Sequence, residues 1–305
     1  MTTDVTTDVT SATTTSATTA TTAPARRPGA RPALIQATKH LAVILIGLAM
    51  TYPLAWMLVS AVRDEPDIFS TPGLWPIGDD FANVVEGWDA AGLPFSRYLV
   101  NSSLIALGAI VGNLVSCSMA AYAFARLRFR GRRVFFGIML LTIMLPIHVV
   151  IVPQYVMFSQ MNWVNTFWPL IVPKLLATDA FFVFLMVQFI RGIPRELDEA
   201  ARIDGAGFFR IYAQILLPLM RPALVTTTIF TFIWTWNDFF TQLIYLTDPA
   251  MFTTSVALRS LVDATSASSW GPLFAMSVVS LLPVFIVFLV GQRYLVQGIA
   301  TTGGK

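Results

Sequence analysis

Charge, cysteine and histidine are all scarce in this chain of 305 residues. Only 12% of its residues are Asp, Glu, Lys or Arg, against roughly 25% in a typical soluble domain. Hydrophobic residues make up 55% and the mean hydropathy is +0.68. A water-soluble globule of this size could not hide so much apolar side chain and still present a polar surface. A soluble enzyme, a nucleic-acid-binding domain and a disordered scaffold are therefore excluded, and the apolar excess must face lipid. The single cysteine, Cys117, allows no disulfide within the chain, no CxxC motif and no thiolate metal site. The two histidines, His40 and His148, lie far apart and offer no His-based metal cluster. A glycine-rich phosphate loop is also missing. Gly303-Gly304-Lys305 stands at the end of the chain with no helix to follow it.

Long uncharged runs fill the rest. Residues 98–125, 134–173 and 264–292 contain no Asp, Glu, Lys or Arg. A spanning helix needs about 20 mostly apolar residues, and six such stretches appear, at about 41–62, 99–124, 134–157, 167–190, 222–245 and 271–291. The run 134–173 is too long for one span, and Asn162, Asn165 and Pro169 place a turn near 158–166. Residues 1–38 differ from all of this. Twelve of the first 25 residues are Thr, the stretch TTDV occurs twice in succession, and no apolar face exists to bury. That composition predicts a disordered tail. No Lys or Arg precedes Arg26, so it is not a secretory signal. The expected organisation is a tail over 1–38, an all-α membrane domain over 39–300 and a short C-terminal tail over 301–305.

Six spans put both termini on one side, and the distribution of Lys and Arg chooses the side. A cytoplasmic N-terminus places Arg26, Arg27, Arg31, Lys39, the cluster from Arg126 to Arg133, Arg191, Arg195, Arg202, Arg210, Arg221, Arg293 and Lys305 inside. Only Arg63, Arg97 and Arg259 fall outside, and Lys174 lies within a span. The predicted location is the plasma (inner) membrane of a prokaryote, with N- and C-termini cytoplasmic. The segment from Asp64 to Tyr98 is then external and carries seven carboxylates. Its prolines predict irregular structure with a short helix.

The largest cytoplasmic loop, about 191–221, is unusual. Pro194 suits the first turn of a helix. Glu196, Asp198 and Glu199 follow, with negative charge at the positive end of the helix dipole. Leu197, Ala200 and Ala201 share one face at helical spacing. Gly205 and Gly207 interrupt the pattern. A second helical pattern then puts Phe208, Ile211, Tyr212 and Ile215 on one face, ended by Pro218 and Pro222. Water-exposed aromatics need a cover. From the pattern alone, either the lipid headgroup layer or a cytoplasmic protein supplies it.

Glu199-Ala200-Ala201, three residues, Gly205, nine residues and then Ile215-Leu216-Leu217-Pro218 resembles the EAA loop of ATP-binding-cassette importer permeases. Pro194-Arg195-Glu196-Leu197, Thr235-Trp236-Asn237-Asp238-Phe239, Gln292 to Gly298 and Tyr52 to Met57 are similar to carbohydrate importers of the maltose-permease type. The resemblance covers about residues 40–300. It implies a type I importer permease fold: six transmembrane helices with a cytoplasmic coupling-helix loop. The implied partners are a second permease subunit, two copies of a cytoplasmic ATPase subunit and an extracytoplasmic solute-binding protein. It further implies that Glu199, Ala200, Ala201, Gly205, Ile215, Leu217 and Pro218 couple the chain to the ATPase. ATP and magnesium would be bound by that partner, with no cofactor in this chain. A basic residue is common in the family where Gln297 stands, which weakens any tail contact with the ATPase.

Ionisable groups inside a membrane are costly and usually line a polar path. Trp236, Asn237, Asp238 and Gln242 in the fifth span, His148 and Gln154 in the third and Asp179 in the fourth are the candidates for a solute path. Aromatic faces with amides and carboxylates suit sugar rings, which present apolar faces and hydroxyl edges. The same groups could instead satisfy one another or backbone freed near prolines. Asn113 in the second span reads as a hydrogen-bonding bridge between helices. Buried carboxylates would also serve an ion-coupled secondary transporter or channel for a small polar solute. That class usually shows two related halves, which this sequence does not display.

Overall fold

The computed structural model describes residues 30–71, 73–75, 77–78, 81–264 and 270–300. Most of the expected N-terminal tail lies outside them, as do the last five residues. From Ala30 onward the chain is already helical, ahead of the span start expected at 41. Among the described residues the regular structure is all helix. In order it comprises α1 (Ala30–Ser60), α2 (Asp67–Ser70), α3 (Ala82–Asp89), α4 (Phe95–Arg126), α5 (Arg132–Thr142), α6 (Ile147–Gln160), α7 (Trp168–Leu175) and α8 (Ala180–Gly192). Then come α9 (Glu196–Ile203), α10 (Phe208–Arg210), a π-helix (Ile211–Leu216), α11 (Leu217–Leu219), α12 (Arg221–Asn237), α13 (Phe240–Tyr245), a 3-10 turn (Pro249–Met251), α14 (Thr254–Ala264) and α15 (Trp270–Ala300).

Four of these segments are long and apolar enough to cross a membrane, at 35–60, 95–126, 168–192 and 270–292. Two bent pairs bring the number to six: α5 with α6, and the segment 208–219 with α12. The chain falls into a unit ending at Tyr52 and a second from Pro53. In the first unit every described side chain from Ile35 is exposed, as befits an apolar helix without soluble packing partners.

The second unit is built around α4, which packs against α7, α8 and α12. Its buried stripe is Ser102, Ala106, Ala109, Asn113, Cys117, Ala121 and Ala125, spaced three or four residues apart. Small side chains at that period let neighbouring backbones approach, which is how helices gain packing where lipid removes the hydrophobic incentive to associate. At Gly112 the stripe faces the main chain of α7 directly. A Cβ there would stand 3.0 Å from the Lys174 carbonyl carbon. One apolar cluster joins Tyr122, Phe182, Ile190, Ala201, Ile211 and Leu216 near one end of α4, and another joins Phe95, Tyr98, Leu261 and Met276 at the opposite end.

The expected third, fourth and fifth spans are not continuous helices. The third turns through 100° between α5 and α6. Pro146 follows the break and disfavours helical backbone at Leu145. The fourth breaks between Leu175 and Ala180, where Ala177 takes φ 55°. The fifth breaks at Asp238 and Phe239. Among the described residues of the segment 64–98 there are two short helices, α2 and α3, rather than one. Glu65 accepts hydrogen bonds from the amides of Trp270 (2.6 Å) and Gly271 (2.9 Å) at the start of α15. A carboxylate there satisfies orphan N–H groups and complements the helix dipole.

Candidate functional site

The three broken spans converge on one cavity of about 970 Å³. Gln154, Lys174, Asp179, Asn237, Asp238 and Gln242 line it, with Trp234 and Tyr245 among its aromatic walls. The breaks create the polarity. Where α7 ends, the carbonyl of Pro173 keeps only a tightened bond from the Leu176 amide (3.0 Å) and that of Lys174 loses its helical partner. Thr178 Oγ1 donates to the first (2.8 Å) and Ser116 Oγ of α4 to the second (2.6 Å). Backbone interrupted at membrane depth survives only with such replacements. Lys174 Nζ reaches both carboxylate oxygens of Asp179, at 3.0 and 2.9 Å. Asn113 donates to Asp179 Oδ2 (2.7 Å) and to Thr231 Oγ1 (3.1 Å). Asn113 thus ties α4, the α7–α8 break and α12 together, as its place in the sequence suggested.

At the second break, Asp238 Oδ1 accepts from the amide of Thr241 (3.1 Å) and so starts α13. Gln242 is 2% exposed; its Nε2 donates to the freed carbonyl of Thr235 (2.8 Å) and its Oε1 accepts from Thr253. Asn237 donates to the carbonyl of Ile233 in its own helix (2.9 Å). Gln242 is therefore engaged in holding the break.

Two candidates lie elsewhere. Trp236 is buried and donates from Nε1 to the carbonyl of Ser280 (3.1 Å), fastening α12 to α15. His148 does not line the cavity, and its ring packs 4.9 Å from that of Phe240. Lys174, read from the sequence only as a charge within the fourth span, is a cavity residue, and Trp234, which lies near Asn237 and Asp238 in sequence, lines the cavity with them. The available signal for Lys174 was its place five residues before Asp179 in an otherwise apolar stretch.

A second feature stands at the Arg126 end of α4. Helix α9 closes with Asp204 as its last half-helical residue and Gly205 beyond it at φ 79°. The amide of Gly205 donates to the carbonyl of Arg202 (3.0 Å) and that of Ala206 to Ala201 (2.9 Å). Those two bonds make a Schellman cap, whose left-handed position favours glycine. Asp198 and Ala201 form the buried face of α9, whereas Leu197 and Ala200 are exposed. The face expected from Leu197, Ala200 and Ala201 is thus corrected, because Asp198 is drawn inward by Arg126 of α4 (3.0 Å). After the bend the chain forms a π-helix instead of the expected α-helix. It buries Ile211, Tyr212 and Leu216, leaving Ile215 and Leu217 half-buried and Pro218 exposed. Glu199 points outward among Ile203 (87% exposed), Phe208 (63%) and Phe209 (72%).

Residues 112–301, which hold both features, match the family described as binding-protein-dependent transport system inner membrane component. The chain belongs to this family of importer permeases. A probable ABC transporter permease of Bacillus subtilis, YurM, is 34% identical, the alignment covering 85% of each chain. The sn-glycerol-3-phosphate transport system permease UgpE of Yersinia pestis is 32% identical over 85% of this permease and 94% of its own length. The diacetylchitobiose uptake permease NgcG of Streptomyces coelicolor is 30% identical over 84% and 85%. The fold is that of a chain in the crystal structure of a bacterial ABC transporter importing the acidic polysaccharide alginate. The TM-score is 0.76 at 22% identity, covering 88% of this permease and 99% of that chain. The all-α permease fold and the importer family read from the sequence both hold.

Proposed function

We propose that this permease subunit carries a carbohydrate across the membrane of a prokaryotic cell. The solute is delivered by an extracytoplasmic binding protein, and import is driven by a separate ATPase docked on the loop 191–221. The observation that carries the docking is the outward face of that loop. Glu199 stands there beside Ala200, Ile203, Phe208 and Phe209, all exposed, on a segment held from behind by α4. Exposed apolar side chains around the Glu199 carboxylate, with the exposed Arg195 and Arg202 beside it, fit a protein cleft that offers both apolar and charged groups, and the small Ala200 permits close backbone approach. Arg126, Arg128, Arg132, Arg133 and Arg195 gather at this same end around a hollow of about 500 Å³. That grouping supports a cytoplasmic placement of this end and of both termini. A second permease subunit would complete the path.

The carbohydrate reading rests on the cavity. Its cation is neutralised by Asp179. What remains is Trp234, amides and a second carboxylate, Asp238, a set that recognises hydroxyl edges and an apolar ring face. Uptake of diacetylchitobiose by one relative supports the same class. The test is reconstitution in proteoliposomes with the ATPase and binding protein, measuring ATP hydrolysis across a panel of sugar-loaded binding proteins. Sugar-dependent stimulation is expected, and Glu199→Lys should abolish transport while the chain still inserts. Solute movement without any ATPase would favour an ion-coupled carrier, and stimulation by an amino acid or metal ion alone would reject carbohydrate.

A further inference from the structure

The loop 191–221 is covalently joined to α8 and α12, yet the side-chain hydrogen bonds and the ion pair that tie it to the spans run to α4, which is neither. Ser118, Tyr122 and Arg126 recur every fourth residue along one face of α4. Each meets a different part of the loop. Arg126 Nη2 donates to the carbonyl of Ile193 (2.7 Å), where α8 ends, and its Nε stands 3.0 Å from Asp198 Oδ2 on α9. Tyr122 Oη donates to the carbonyl of Phe208 (3.1 Å), just beyond the Gly205 bend. Ser118 Oγ is 2.7 Å from Tyr212 Oη in the π-helix. The rings of Tyr122 and Tyr212 also pack at 5.5 Å. Both charges of the Arg126–Asp198 pair are almost wholly buried, at 3% and 4% side-chain exposure. Removing either partner of a pair so placed strands a charge out of water.

We propose that these three residues are positioning residues that pass the stroke of the loop into α4, with Arg126 as the rung that fastens the coupling helix. This rests on the docking reading above. α4 is suited to the task because it is one unbroken helix from Phe95 to Arg126, whereas the third, fourth and fifth spans are interrupted. A displacement delivered at Arg126 travels along a rod and not across a hinge. Halfway along, Asn113 grips Asp179 and Thr231 at the cavity wall. At the far end Asn101 donates to the carbonyls of Ala250 (3.0 Å) and Phe252 (2.8 Å). One helix therefore touches the loop, the cavity and the far segment, and the rigid-body mode of switching needs just such a continuous element.

The test compares Arg126→Met, Asp198→Leu, the double variant R126M/D198L and the milder Tyr122→Phe in the full complex in proteoliposomes. Three quantities are read: ATPase retained on the permease, ATP hydrolysed, and solute imported. The double variant removes both charges, so it restores folding lost in either single variant. Its import is expected to fall about tenfold while the ATPase stays bound and hydrolyses, so that ATP spent per solute rises by the same factor. Tyr122→Phe should raise the ratio to a smaller degree. A double variant importing at the wild-type ratio would overturn the proposal. So would a loss of import matched by an equal loss of bound ATPase, which would make the ladder a mere support for docking. A wild-type permease that retains no ATPase would instead remove the docking reading itself.

Discussion

Replacing Gly205 by alanine isolates the one backbone conformation on which the bend of the loop depends. The site is open: a Cβ built at Gly205 meets nothing within 4 Å. No steric clash with neighbours enters, and the whole effect comes from the torsion. Gly205 holds φ 79°, where an L-residue is disfavoured by about 1–2 kcal/mol. Relief of that strain opens the two cap bonds, from Gly205 to Arg202 and from Ala206 to Ala201. An energy of that size shifts the open population by roughly 5–30-fold. Amide hydrogen exchange at residues 205 and 206 in nanodiscs reads that population directly, without any partner. Protection should fall by that factor in Gly205→Ala. It should fall less in Gly205→Asn, since asparagine tolerates the left-handed region, and further in a β-branched variant such as Gly205→Val. Unchanged protection in Gly205→Ala, or asparagine behaving worse than alanine, would refute the torsional account.

Lys174→Met should destabilise the purified protein by about 1–3 kcal/mol, less than for a fully buried pair because both side chains keep some access to the cavity. Adding Asp179→Leu should recover most of that loss, as followed by thermal unfolding in detergent. Gly112→Val should cost about 1–3 kcal/mol because its Cβ would press on Lys174 and Leu175 main-chain atoms, which can yield only if α7 moves. Gly137→Ala, in the open interior of α5, should stabilise instead by about 0.5–1 kcal/mol.

Much of the loop is legible in the sequence. The spacing from Glu199 to Gly205 to Pro218 carries its own physics, since a helix stop, a left-handed glycine and a proline act within a few residues of themselves. The first, second and last spans are equally legible as uncharged runs. The broken spans are not. Pro146 is a local sign of the first break, but residues 176–178, Leu-Ala-Thr, give none in their composition. The breaks hold because side chains distant in sequence satisfy them: Ser116 takes the carbonyl of Lys174, and Asn113 braces Asp179. Trp236 departs from its expected place in the solute path for a related reason. It sits next to Asn237 in sequence, but on a helix its neighbour points about 100° away, here into α15 instead of the cavity.

By itself the sequence settled that this protein lives in lipid and carries a bent loop with an acidic helix start. Transfer free energy and helix capping are sums over adjacent residues and need no knowledge of the partners. The assembly of Lys174, Asp179, Asn113 and Thr231, the inward turn of Asp198 toward Arg126 and the exclusion of His148 from the cavity were decided by packing alone. Apart from the Lys174–Asp179 pair, those contacts join residues tens of positions apart, and their geometry exists only once the helices have closed around α4.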